Sequence, residues 1–347
     1  MRRIIITAIT VSWLATAGAA WAGEAEQGAG QRMAEAAQAF IGVLNDNQLE
    51  HARMDYDDER RMRWHYWPLW ERDGLMLRDM NKEQQEHVLA LLEASLSPTG
   101  YEKALVTMEL EKIIHELEYD GPIRDYLRYY FTVYGEPGDE GTWGWSVEGH
   151  HLVFNFVVHD GVLVNVTPAF IGANPAIVRD NAGTGPALGT RNLADQELAG
   201  FALFESLAEE QLGTVIVSSE TSHDMDEGFK PQTDLVEPQG LPAADMTDAQ
   251  RDQLRAIIAA FMDNVPAELT GPYMDRVEAE FDETHFAWRG STAIEDNVAS
   301  ERYSFRIQSP TFVMMLYNSM RDDAGNDPNH IHTIWRTIGR DFMPALD

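Results

Sequence analysis

Two changes of hydrophobic period constrain this chain most. Most of the sequence repeats its apolar residues at helical spacing, but two stretches far apart alternate apolar with polar instead. The first holds expected strands at 126–134, 143–148, 150–158 and 162–166, with His159-Asp160-Gly161 as a tight hairpin turn. The second holds strands at 285–288, 303–307, 311–317 and 330–336. Helices are expected at 33–44, at 81–92 behind an Asn81 cap, and at 101–117 after a break at Ser97-Pro98-Thr99-Gly100. Others fall at 193–212, at 248–262 behind Thr247, and at 272–281. A short strand at 215–217 and a long polar loop at 221–242 complete the reading. Strands need partners, so the two clusters must join into one sheet or two packed sheets. The fold class is therefore α+β, with central antiparallel β structure surrounded by helices in a single domain.

The N-terminus reads as a secretory leader. Arg2 and Arg3 precede the apolar run 4–17, and Ala20-Trp21-Ala22 fits a small-x-small cleavage site. That run is too short to span a bilayer. The expectation is a signal peptide at 1–22, a mature domain at 23–347, a periplasmic or secreted location, and no stable membrane insertion. The chain has no cysteine, so disulfides, thiolate metal sites and cysteine nucleophiles are excluded. It carries 57 Asp and Glu against 26 Lys and Arg, a net charge of −31, which repels nucleic acid.

Phosphate loops, dinucleotide fingerprints, Gly-x-Ser-x-Gly elbows and His-Glu-x-x-His are all missing. What stands out is histidine. His330 and His332 are two apart on one expected strand, hence on one face, together with Ile334 and Arg336. Two neutral imidazoles so placed can share one metal ion, with zinc or copper the natural choice. Gly149-His150-His151 and His285 open two further expected strands. Neighbours on a strand face opposite ways, so only one of His150 and His151 joins a cluster easily, and local pattern leaves the choice open. The candidate metal ligands are His150, His151, His285, His330 and His332. Arg336, Asp341, Trp145, Trp288 and Trp335 are candidates for substrate contact or for supporting the ligands. Arg336 could alternatively pair with Glu148, Glu283 or Asp341. His65, His87, His115, His159 and His223, taken singly, read as hydrogen-bonded core or turn residues. Met314, Met315 and Met343 read as core filler.

Several motifs resemble a family of mostly exported proteins known as domain of unknown function 3500. They include Arg63-Trp64-x-Tyr66-x-Pro68, Tyr130-Phe131-x-x-Tyr134-Gly135 and Trp143-Gly144-Trp145 with Gly149-His150-His151. Pro168-Ala169-Phe170-x-Gly172-Ala173-Asn174-Pro175, His285-Phe286-Ala287-Trp288 and His330-x-His332-x-x-Trp335-Arg336 continue the series in order. The resemblance implies one domain over nearly the whole mature chain and implies no particular activity. It also exposes a departure: where such proteins carry a strand near Ile-Glu-Tyr-Asp-Asn, this chain has Met314-Met315-Leu316-Tyr317-Asn318. Two functions follow as expectations. One is a periplasmic metalloprotein, a metal-dependent oxidoreductase or hydrolase. The other is a non-catalytic envelope protein that binds a small molecule or a protein partner.

Overall fold

The computed structural model describes residues 28–118, 123–225, 229–233 and 237–343. The expected leader, 1–22, lies outside the described residues. Eight principal strands build the sheet. They are β1 (Tyr130–Tyr134), β2 (Thr142–Gly149), β3 (Leu152–His159), β4 (Ala169–Ala173), β5 (His285–Gly290), β6 (Tyr303–Gln308), β7 (Phe312–Met320) and β8 (His330–Thr337). In space their order is β1-β2-β3-β4-β8-β7-β6-β5, all paired antiparallel. The two clusters of strands thus form one sheet. The seam between them is β4–β8, where His332 pairs with Gly172 and Ile334 with Phe170. Short strands decorate this frame, and two at its edges, Arg53–Met54 and Ile216–Ser218, pair in parallel, so the sheet as a whole is mixed.

Alternation divides the sheet into two apolar faces. One packs under eight helices: α1 (Ala29–Gly42), α2 (Asp46–Ala52), α3 (Lys82–Ser95), α4 (Pro98–Glu118), α5 (Ala194–Glu205), α6 (Glu209–Val215), α7 (Asp248–Met262) and α8 (Ala267–Ala279). Trp145, Trp288 and Trp335 belong to this face. The opposite face carries Val153, Phe170, Met315, Tyr317 and Ile334, and is covered by loop residues such as Trp64, Tyr66, Met225 and Phe342. No helix among the described residues is long and apolar enough to cross a membrane.

Local chemistry explains most element ends. Asn81 and Thr247 each form a reciprocal capping box with a glutamine three residues on. Four expectations need correction. Ser97-Pro98 does not break α4 but starts it, because the Ser97 hydroxyl caps the Gly100 amide and proline suits the first helical turn. The helix expected at 193–212 is two helices, α5 and α6. The last helix begins at Ala267, with Pro272 inside it. His150 and His151 do not open a strand. Gly149 pairs with Leu152, so the two histidines are the tip of the β2–β3 hairpin.

Candidate metal centre

The hairpin tip decides which histidine turns inward. His151 has φ 62°, the left-handed conformation that a two-residue turn can demand at its second position. A non-glycine residue there carries strain that the surroundings must hold in place. Two backbone bonds do so: the His151 amide donates to the Tyr66 carbonyl at 3.1 Å, and the Gly172 amide donates to the His151 carbonyl at 2.8 Å. His330 and His332 come from the start of β8, on the face away from the helices. The Asn318 side-chain oxygen accepts the His330 amide at 3.1 Å and fixes that strand end.

The three rings meet at their Nε2 atoms. His151 Nε2 lies 2.9 Å from His330 Nε2 and 3.2 Å from His332 Nε2, and the latter two are 3.1 Å apart. Nitrogens so spaced lie about 1.8 Å from their common centre, so His151, His330 and His332 could together hold one ion at bond lengths of about 2.05 Å. His151 and His332 are buried, and His330 is half-buried.

Asp224 sets the tautomer of His332. Its Oδ1 is 3.0 Å from His332 Nδ1 and also accepts the Met225 amide and the Tyr66 hydroxyl. Its Oδ2 accepts the Trp67 indole N–H at 3.2 Å. Burial pushes the Asp224 carboxyl up, but these bonds and the imidazole outweigh it and hold it at about 2. A carboxylate accepting from Nδ1–H leaves the Nε2 lone pair of His332 aimed at the other two rings. Loss of water around the rings, then their mutual repulsion as cations, holds His151 and His330 well below the usual histidine range. Neutral imidazoles are the form a metal requires.

Gly172 makes the convergence possible. A β-carbon there would stand 2.8 Å from His151 Cδ2 and 3.1 Å from His332 Cδ2. Behind His151 the His150 ring stacks at 3.7 Å, with its Nδ1 hydrogen-bonded to Glu111 of α4 and Arg124 alongside at 3.2 Å. Burial is the main cause that lifts the Glu111 carboxyl to about 8 and holds His150 well below the usual histidine range. Glu111, His150 and His151 form a second group whose ligand atoms lie within 4.8 Å of one another, directly behind the first.

The remaining candidates lie elsewhere. His285 shares a cross-strand row with Gln308, Val313 and Arg336. It is three strands across and six residues along from His330, roughly 14 Å and 20 Å, and its Nδ1 sits 2.9 Å from the Glu283 carbonyl. That separation takes it out of the cluster. Arg336 does share the histidine face but lies at the far end of β8. It is fully buried, paired with Asp341 at 2.8 Å and donating to the Lys230 carbonyl. Trp145, Trp288 and Trp335 pack on the helical face against Phe156, Phe204 and Tyr273, because strand alternation turns them from the histidines. The support for His332 comes from Asp224, not from Asp341, which pairs with Arg336. Asp224, Glu111 and Gly172 were not singled out in the sequence: the first two lie outside any strand, and the strand that carries Gly172, β4, is itself absent from the expected ones, its segment being rich in turn residues. Met315 and Tyr317, the positions where the resemblance places acids, are on the histidine face, with Tyr317 paired directly to His332.

A family model described as "Protein of unknown function (DUF3500)" matches residues 26–343. No curated protein and no solved structure matches the chain.

Proposed function

The chain belongs to the DUF3500 family, and from that premise we propose that it is an exported mononuclear metalloenzyme whose ion is held by His151, His330 and His332. One observation carries the reading: three buried or half-buried imidazoles bring Nε2 to within 3.2 Å of one another while Asp224 holds the proton of His332 on the far nitrogen. At most some of those contacts can be N–H···N bonds, and lone pairs gathered at one point call for a cation. The donor set is all imidazole, with a carboxylate behind it, which suits zinc or copper. A zinc ion there would activate water for hydrolysis, and a copper ion would exchange electrons with a substrate. The identity of the metal therefore selects between hydrolase and oxidoreductase.

The test is elemental analysis of untagged protein purified from the exported fraction, before and after chelation. We expect close to one equivalent of zinc or copper, lost from His332→Ala. Protein that never takes up either ion above the level of that variant sinks the proposal. The same preparation tests export, since its N-terminal residue should be Gly23; an intact Met1 contradicts it.

A further inference from the structure

The pairing of β7 with β8 shifts register where the histidines stand. Leu316 pairs with Thr333, Tyr317 with His332 and Asn318 with Ile331, but His330 then pairs with Met320. Ser319 is the extra residue, so the shift is a β-bulge. A bulge leaves its extra residue out of the ladder and re-aims side chains. The residues of β7 before the bulge, from Phe312 to Tyr317, are all apolar or aromatic, whereas Asn318 and Ser319 are polar and only 6% and 1% exposed. Each of the two makes bonds that lead to a different histidine.

Asn318 reaches toward the helices. Its Nδ2 donates to Oε1 of Glu197 in α5 at 3.3 Å, and its Oδ1 accepts the His330 amide at 3.1 Å. The first bond fixes the second, because an amide that donates at one end presents its oxygen at the other. Glu197 is itself held: it is buried, accepts the Tyr303 hydroxyl and pairs with Arg191 at 2.6 Å. Ser319 reaches the loop on the other face. Its hydroxyl donates to the His223 carbonyl at 2.7 Å. The next residue is Asp224, whose Oδ1 stands 3.0 Å from Nδ1 of His332. Removing either side chain leaves a backbone group at the site without this partner, which a buried polar group does not tolerate cheaply.

We propose that Asn318 and Ser319 are positioning residues of the metal centre. Asn318, steadied by Glu197, sets where His330 stands, and Ser319 sets where Asp224 holds His332. The inference rests on the metal site proposed above and adds to it two residues that touch no ion.

The experiment compares the mature protein with Asn318→Ala and Ser319→Ala. Zinc affinity is read by competition with a chromophoric chelator, and ligand arrangement by the visible absorption of the protein loaded with cobalt(II). Each variant should bind zinc roughly tenfold more weakly, as loss of a group that orients a ligand does, and its cobalt bands should shift or broaden. Tyr273→Phe is the structural control. It also deletes one buried hydroxyl, which bonds Thr337 at 2.9 Å at the far end of β8. It should lower the stability of the metal-free protein and leave zinc affinity and the cobalt bands as in the parent. Circular dichroism establishes that the variants are folded, and Ser319→Ala, which loses a single oxygen, carries the test if Asn318→Ala does not fold. If the parent binds zinc and the folded variants match it in affinity and in cobalt bands, the positioning role is overturned and the metal centre stands. A parent that takes up neither ion sinks the metal centre, and the positioning role with it.

Discussion

Replacing Gly172 by alanine tests the metal centre without touching any ligand. The new methyl carbon would sit 2.8 Å and 2.9 Å from Cδ2 and Cγ of His151 and 3.1 Å from Cδ2 of His332. Ordinary contact begins near 3.4 Å, so the His151 ring must retreat by about 0.6 Å and the His332 ring by about 0.3 Å. His151 has little freedom to do so in concert, because its backbone is tied to Tyr66 and Gly172 and its ring is backed by His150. Metal–nitrogen bonds tolerate about 0.2 Å, so a retreat of this size takes at least one imidazole out of bonding range. Loss of one ligand in three should weaken binding by 100-fold or more, about 2.7 kcal/mol. The metal-free fold should lose only about 1–3 kcal/mol, as overpacked sites do. Affinity is read by competition with a chromophoric chelator, and stability by urea unfolding of the apo protein. Gly200→Ala is the control: its β-carbon would press on the Phe305 ring at 2.4 Å in the helical core, far from the histidines. It should lower stability and leave metal affinity alone. If Gly172→Ala binds zinc or copper as tightly as the parent, the three rings are not the site.

Further outcomes follow from the same geometry. His151→Ala, His330→Ala and His332→Ala should each abolish stoichiometric metal uptake, whereas His285→Ala should match the parent in elemental analysis. Asp224→Asn removes the charge behind His332 and the acceptor for the Trp67 indole; chelator competition should show affinity reduced roughly 10- to 100-fold. Burial first, then neighbouring imidazoles and Arg124, holds His151 well below its usual range, so below about pH 6.5 the unfolded chain takes up a proton that the folded state refuses. That destabilises the apo fold as pH falls, by about 1.4 kcal/mol per unit for this residue. His151→Asn, whose side chain tolerates the left-handed turn, should therefore lose less stability than the parent between pH 6.5 and 5.5, by about 1 kcal/mol in urea titrations, since the unfolded imidazole is already half protonated at the upper pH. With both strand clusters in one sheet, thermal unfolding should show one main cooperative transition; two well-separated ones would contradict the single core.

How legible the protein is from its sequence differs by feature. Capping at Asn81 and Thr247, the Asp160-Gly161 turn and the shared face of His330 and His332 are local, and they stand as the residues alone imply. The tryptophans were expected beside the histidines and instead pack on the opposite face, as the odd separation of Trp335 from His332 alone implies. His285 misled because a histidine at the start of a strand says nothing of which end of the sheet that start occupies. Its strand runs antiparallel to its neighbour, and its first residue meets the row of Arg336. The choice between His150 and His151 was beyond an alternation argument, because both are turn residues and a turn obeys φ, not the period of two.

The sequence by itself thus determined the class of elements, their faces and the pair of imidazoles that point the same way, because those properties depend on residues within a turn or a few strand positions of one another. Only the tertiary structure decided that the two strand clusters meet at β4–β8, and with it the meeting of His151, Gly172 and His332. It also decided that Asp224, from a polar loop, and Glu111, from a helix, stand behind the rings. Pairing across more than 150 residues is settled by which complete arrangement buries both apolar faces and closes every strand edge it can. No short stretch of sequence carries that comparison.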